Sequence, residues 1–151
     1  MSRVTIVLSS PAFADGGAIP ARYSRDGADV PPPLRWSGIP AGTAELALVL
    51  VDPDAPRGTF VHWIVAGLDP TLDGIEDGAP THKVEGMNSW GEIGYGGPQP
   101  PPDDPPHRYV FTLYALAEPS KLVRGARYVD FVDAIRGKEL TEGRLVGLFA
   151  R

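Results

Sequence analysis

Apolar and polar residues alternate with a period of two along much of this chain. Val4, Ile6 and Leu8 interleave with Arg3, Thr5 and Val7, which predicts an opening strand before the loop from Ser9 to Pro20. The segment from Asp29 to Trp36 carries three consecutive prolines, Pro31 to Pro33. Each removes a backbone donor and restricts the residue before it, so the stretch crosses the surface extended and then drops Leu34 and Trp36 into the core. Leu46 to Val51 is apolar without interruption, the pattern of a central strand covered on both faces, and it stops at Asp52-Pro53-Asp54-Ala55-Pro56. Polar groups are therefore gathered at the end of a buried strand.

A second strand is predicted over Phe60 to Ala66, with Phe60, His62 and Ile64 on one face and Val61, Trp63 and Val65 on the other. His107 to Leu116 is the strongest strand pattern in the chain, and it puts His107, Tyr109, Phe111 and Leu113 on one face. Tyr128, Val129, Phe131, Val132 and Ile135 recur at helical spacing, predicting one short amphipathic helix that stops near Gly137. Leu140 to Phe149 reads as a closing strand. There is no internal repeat, and the proline-rich stretch 98–106 is too short for an interdomain linker, so a single mostly-β domain is expected over residues 1–151.

Composition narrows the function classes. The 18 glycines and 17 prolines cluster between apolar runs and mark turns and rigid loops. The chain has no cysteine, which removes disulfides, thiol nucleophiles and thiolate metal sites, and suits a cytoplasmic location. The apolar stretch Val4 to Leu8 is too brief for a signal sequence or a membrane span, so no integral membrane association is expected. A net charge of -5 argues against a nucleic-acid partner, because affinity for a phosphate backbone comes from lysine and arginine displacing counterions. An anionic ligand must meet a local positive site instead.

Several residues could form one. Gly91, Gly94, Gly96 and Gly97 are followed by prolines rather than by a helix, which excludes a Rossmann or P-loop site and leaves two readings, a tight turn or a nest of backbone N–H groups around a small anion. Of the three histidines, His82 lies in a polar stretch and carries no assigned role. His62 and His107 lack the local spacing of a metal pair, though strands could bring them together with Asp52 or Asp54 as two histidines and a carboxylate. The competing reading is that each is a hydrogen-bonded core residue. No Gly-x-Ser-x-Gly elbow is present, and no motif calls for a cofactor.

Taken together, Asp52-Pro-Asp-Ala-Pro56 with His62-Trp63, then Gly94-Tyr-Gly-Gly-Pro98, then His107-Arg-Tyr109 resemble the successive signature blocks of the phosphatidylethanolamine-binding family, in particular its bacterial and archaeal Raf kinase inhibitor-like branch. The resemblance runs from Pro31-Pro-Pro-Leu-Arg-Trp36 to Leu145-Val-Gly147 and covers nearly the whole chain. It implies a two-sheet antiparallel β-sandwich with one short helix near the C-terminus. It also implies a pocket for a phosphate-like anion or phosphorylated small molecule, built from Asp52, Asp54, Pro56, His62, Gly97, Pro98, His107 and Tyr109.

In this pocket the two histidines are expected on facing or neighbouring strands, giving N–H donors and positive charge. Gly97 adds a backbone N–H and Tyr109 its hydroxyl. Asp52 and Asp54 accept hydrogen bonds from a histidine, the loop backbone or a ligand ammonium group. The resemblance extends to modulation of a kinase or protease partner and to a homodimer. The alternative is an enzyme in which His62, His107 and Asp52 act on a phosphoester or hold a metal. Three departures from the family pattern stand out. Asp103-Asp-Pro-Pro106 replaces a segment where a glycine is usual, which makes the rim stiffer and more acidic. Gly137-Lys-Glu-Leu140 and Phe149 stand where relatives have a histidine and a tyrosine.

Overall fold

The structure, a computed structural model, describes residues 5–78 and 84–151; His82 lies outside the described residues. The chain runs through β1 (Val7–Ser9), β2 (Leu34–Ser37), β3 (Glu45–Asp52), β4 (Phe60–Leu68), β5 (Gly74–Ile75), β6 (Val84–Glu85), β7 (His107–Leu116), α1 (Tyr128–Ile135) and β8 (Glu139–Phe149). The strands form a three-stranded sheet in the order β1-β2-β5 and a five-stranded sheet in the order β6-β4-β3-β7-β8. All their pairings are antiparallel.

The uninterrupted apolar run of β3 is explained by its two neighbours and two coverings. Leu46, Leu48 and Leu50 point into the core between the sheets, where they meet Trp36, Phe111 and Leu145. Ala47 and Val49 point the other way, against Phe131 and Ile135 of α1. Both faces are dry, so neither needs a polar residue. β1 shows the opposite case: Ile6 and Leu8 are buried while Val7 between them is 64% exposed. The helix starts where the Asp130 carboxylate accepts the Arg127 N–H at 2.9 Å, and it ends before Gly137 takes a φ of 78°.

One irregularity positions the site. Along the β3–β4 ladder Leu50 pairs with Trp63 but Val51 pairs with Val61, so β4 carries one extra residue, His62. Such a bulge re-aims a side chain. The alternation expected from the sequence put His62 on the face of Ile64. Instead Ile64 joins Val61 on the helix side, Trp63 and Val65 enter the inter-sheet core, and the His62 ring stands 5.2 Å from that of Tyr109, a core residue of β7. His62 and His107 are also not on adjoining strands, because β3 lies between β4 and β7.

Candidate functional site

At the end of β3 where the sequence gathers its polar residues, a cavity of about 220 Å³ opens. Asp52, Pro56, His62, His107 and Tyr109 line it, together with Ala55, Phe60, Trp90, Gln99, Pro100 and Pro101. Asp54, Gly97 and Pro98 do not.

The reasons are visible in their bonds. Asp54 is engaged by Arg108, whose Nε and Nη2 donate at 3.0 and 2.8 Å and whose backbone N–H donates at 2.8 Å. These bonds hold the Asp54 carboxyl down to about 2. Gly97 donates its N–H to Asp29 Oδ1 at 2.7 Å, and a Cβ there would collide with the Tyr23 carbonyl, so this glycine serves close packing. Pro98 is buried, with its carbonyl accepting from the Arg25 N–H. The anion-nest reading of the glycine block is thereby corrected. The N–H groups of Gly91, Gly94 and Gly96 are likewise bonded, to the carbonyls of Asn88, Gly86 and His62. None is left to aim at a ligand.

The two histidines differ in charge. His62 Nδ1 lies 2.7 Å from the Gly96 carbonyl, which can only accept, so Nδ1 carries the hydrogen and Nε2 keeps its lone pair. Burial lowers the His62 pKa, and the bond to Gly96 does not offset it. The neutral ring offers an acceptor, not the positive charge expected from the sequence. His107 is held at both nitrogens: Nδ1 is 2.7 Å from Asp52 Oδ2 and Nε2 is 2.9 Å from Asp104 Oδ2. Burial favours its neutral form, but the hydrogen bonds to Asp52 and Asp104 outweigh this and raise its pKa. Asp52 is itself only 3% exposed, and its other oxygen accepts the Asp54 N–H at 2.7 Å.

Tyr109 completes the floor. Its hydroxyl is buried and makes no hydrogen bond of good geometry, and burial first, then the charge and hydrogen-bonding proximity of the Asp52 carboxylate, raise its pKa. A buried hydroxyl without a partner is unusual and points to something that binds there.

Sequence reasoning missed the aromatic wall. Trp90 packs edge-on to Phe60 and His62 at 4.6 and 5.3 Å between centroids, with the Arg25 guanidinium over the Trp90 ring, 4.0 Å from its centroid. The buried Asn88 orients it, accepting the N–H groups of Trp90 and Glu92 on Oδ1 and donating to the Gly94 carbonyl. Nothing in local pattern marks Trp90 as a cavity residue; only the polar Asn88-Ser-Trp90 turn before the glycines hints at it.

Chemically, the site offers the Tyr109 hydroxyl as a donor, His62 Nε2 as an acceptor, and an apolar collar. The Asp52–His107 pair has the form used in acid–base chemistry, but the outward nitrogen of His107 faces another carboxylate. Among the described residues no cluster of three or more histidine, aspartate or glutamate side chains is arranged to hold a metal ion.

Three comparisons place the chain among known proteins. The profile of the family described as Phosphatidylethanolamine-binding protein matches residues 9–150. A UPF0098 protein of Methanothermobacter thermautotrophicus is 41% identical over 150 residues, covering 95% of this chain and 98% of that one. LppC of Mycobacterium tuberculosis, a lipoprotein by name, is 48% identical over 147 residues, covering 95% of this chain and 72% of its own. The crystal structure of the phosphatidylethanolamine-binding protein homologue CT736 from Chlamydia trachomatis superposes with a TM-score of 0.92 at 36% identity, covering 97% and 98% of the two chains.

Proposed function

The chain belongs to the phosphatidylethanolamine-binding protein family, and on that premise we propose that it binds phosphorylated small molecules, such as a phospholipid head group, in the cavity at the end of β3. The observation that carries this reading is the Tyr109 hydroxyl, buried in the cavity wall with no partner. A phosphate oxygen supplies the missing acceptor, and the adjacent His107 supplies charge. The collar of Pro56, Phe60, Trp90, Pro100 and Pro101 suits the carbon part of the ligand. His62 Nε2 accepts from an ammonium or hydroxyl group on the same molecule, which suits a zwitterionic head group.

The test is calorimetric titration with O-phosphorylethanolamine and with sulfate. Wild type binds both, and Tyr109→Phe binds each about three- to tenfold more weakly, the contribution of one hydrogen bond. No binding of either probe at millimolar concentration overturns the reading. A kinase or protease partner and a homodimer belong to the same family-based proposal; light scattering of the purified chain tests the dimer. Among the described residues no helix is long and apolar enough to cross a membrane. The lack of cysteine favours the cytoplasm while the lipoprotein name of the mycobacterial relative favours the opposite side, and cell fractionation decides between them.

A further inference from the structure

The loop before β7 sets the Asp104 carboxylate, beside the cavity lining, on a nitrogen of the cavity residue His107. His107 presents two nitrogens. Nδ1 belongs to Asp52, both side chains being almost wholly buried, so Nε2 alone remains for a ligand, and Asp104 already holds it at 2.9 Å. We propose that Asp104 is a built-in competitor for the ligand of this cavity, an intramolecular carboxylate that must leave His107 Nε2 before an anion can bind there. The inference rests on the reading of the cavity as an anion site.

Three features make Asp104, rather than Asp52, the group that leaves. Its side chain is 36% exposed against 4% for Asp52, so water can solvate it once displaced. Its carboxylate has no partner other than His107 among the described residues, whereas Asp52 also accepts the Asp54 N–H. The surrounding loop is stiff: prolines stand at 100–102 and 105–106, and the Asp104 N–H is tied to the Pro101 carbonyl at 3.1 Å. Rotation of the side chain frees Nε2 without opening the backbone, and Pro100 and Pro101 keep the cavity wall in place.

The consequence is a threshold. A tethered carboxylate competes at an effective concentration in the millimolar range, so it sets the ligand concentration at which the cavity fills. It also keeps His107 paired when the cavity is empty, which is how an acidic protein carries a cationic ring at this position without a standing anion. The charged or titratable groups facing His107 are Asp52 from β3, Asp104 from its own loop and Tyr109 next along β7, with the Asp54–Arg108 pair beside them.

Sulfate titration by calorimetry near neutral pH tests this with wild type, Asp104→Asn, Asp104→Ala and Asp103→Ala. Asp104→Ala binds sulfate about tenfold more tightly than wild type, the size of a charge-assisted hydrogen bond no longer in competition. Asp104→Asn falls between them, because its amide oxygen still accepts from Nε2 without charge. Asp103→Ala removes the same charge one residue away from a side chain not bonded to His107, and it changes affinity by less than about twofold, since exposed charges are screened. Equal gains from Asp103→Ala and Asp104→Ala mean that bulk charge alone acts, and the competitor is wrong. Sulfate binding by wild type with no gain in either Asp104 variant also overturns it while leaving the cavity reading intact. Sulfate binding by none of the four proteins removes both.

Discussion

β3 carries a buried carboxylate at each end, and the two do different work. At its start Glu45 is buried and accepts from the Gly67 N–H at 3.0 Å, the Ser120 N–H at 3.0 Å and Ser120 Oγ at 2.7 Å. Every one of those donors is fixed backbone or a short side chain, so the bonds end within the fold and pin the loop after β7 to the sheet. At the far end Asp52 also accepts a backbone N–H, but its second partner is His107, a cavity residue whose other nitrogen is held by the part-exposed Asp104. Burial of charge is common to both ends. The difference lies in whether the partner's remaining bond ends in fixed backbone or on a part-exposed side chain, and that separates an anchor from a candidate site.

The largest effect expected from this comparison is on stability. Glu45→Ala leaves the buried Ser120 N–H and the half-buried Gly67 N–H unpaired, and it lowers unfolding free energy in urea by about 3 kcal/mol while sulfate affinity stays within experimental error. A small loss of stability would show that Glu45 is no anchor. Next comes His107→Gln, which removes the charged donor and weakens sulfate binding by about 1.5–3 kcal/mol in calorimetry. An unchanged affinity would reduce the Asp52 end to a second anchor.

A smaller, opposed pair of effects is expected in the dependence of stability on pH. The raised pKa of His107 gives stability that is fully present below the ordinary histidine value of about 6.5 and is lost as pH rises through the folded value. The lowered pKa of His62 gives stability present above about 6.5 and lost as pH falls through its folded value. Thermal unfolding across this range therefore shows His107→Gln flattening the alkaline flank and His62→Gln flattening the acid flank. The reverse assignment would mean the two rings have been given each other's charge. For the ligand, sulfate affinity is highest below the folded His107 value and falls as pH rises through it.

Smallest of all is the change in stability from Tyr109→Phe. Because the hydroxyl is buried without a partner, deleting it leaves the empty protein unchanged or more stable by up to about 1 kcal/mol, although it weakens ligand binding. Destabilisation beyond that would reveal a partner for the hydroxyl within the fold.

Much of this architecture was legible in residue order alone. The period of two located β4 and β7, Leu140 to Phe149 read as a closing strand without that signal, and the unbroken apolar run of β3 announced a strand buried on both faces, because side-chain direction in a strand follows position along the chain. The signature blocks around Asp52, His62 and His107 named the family and brought five residues to one cavity wall. What pattern could not carry was the bond each polar atom makes. Gly97 is taken by Asp29, 68 positions earlier, and Asp54 by Arg108, 54 positions later. The bulge that turns His62 toward Tyr109 is a matter of register between β3 and β4, and Trp90 reaches the cavity only because Asn88 and Arg25 hold it there. Hydrogen-bond capacity belongs to atoms, and which neighbour satisfies it is decided when distant segments pack; composition and spacing specify the donors and acceptors, and the tertiary structure alone leaves Tyr109 without a partner and sets Asp104 against His107.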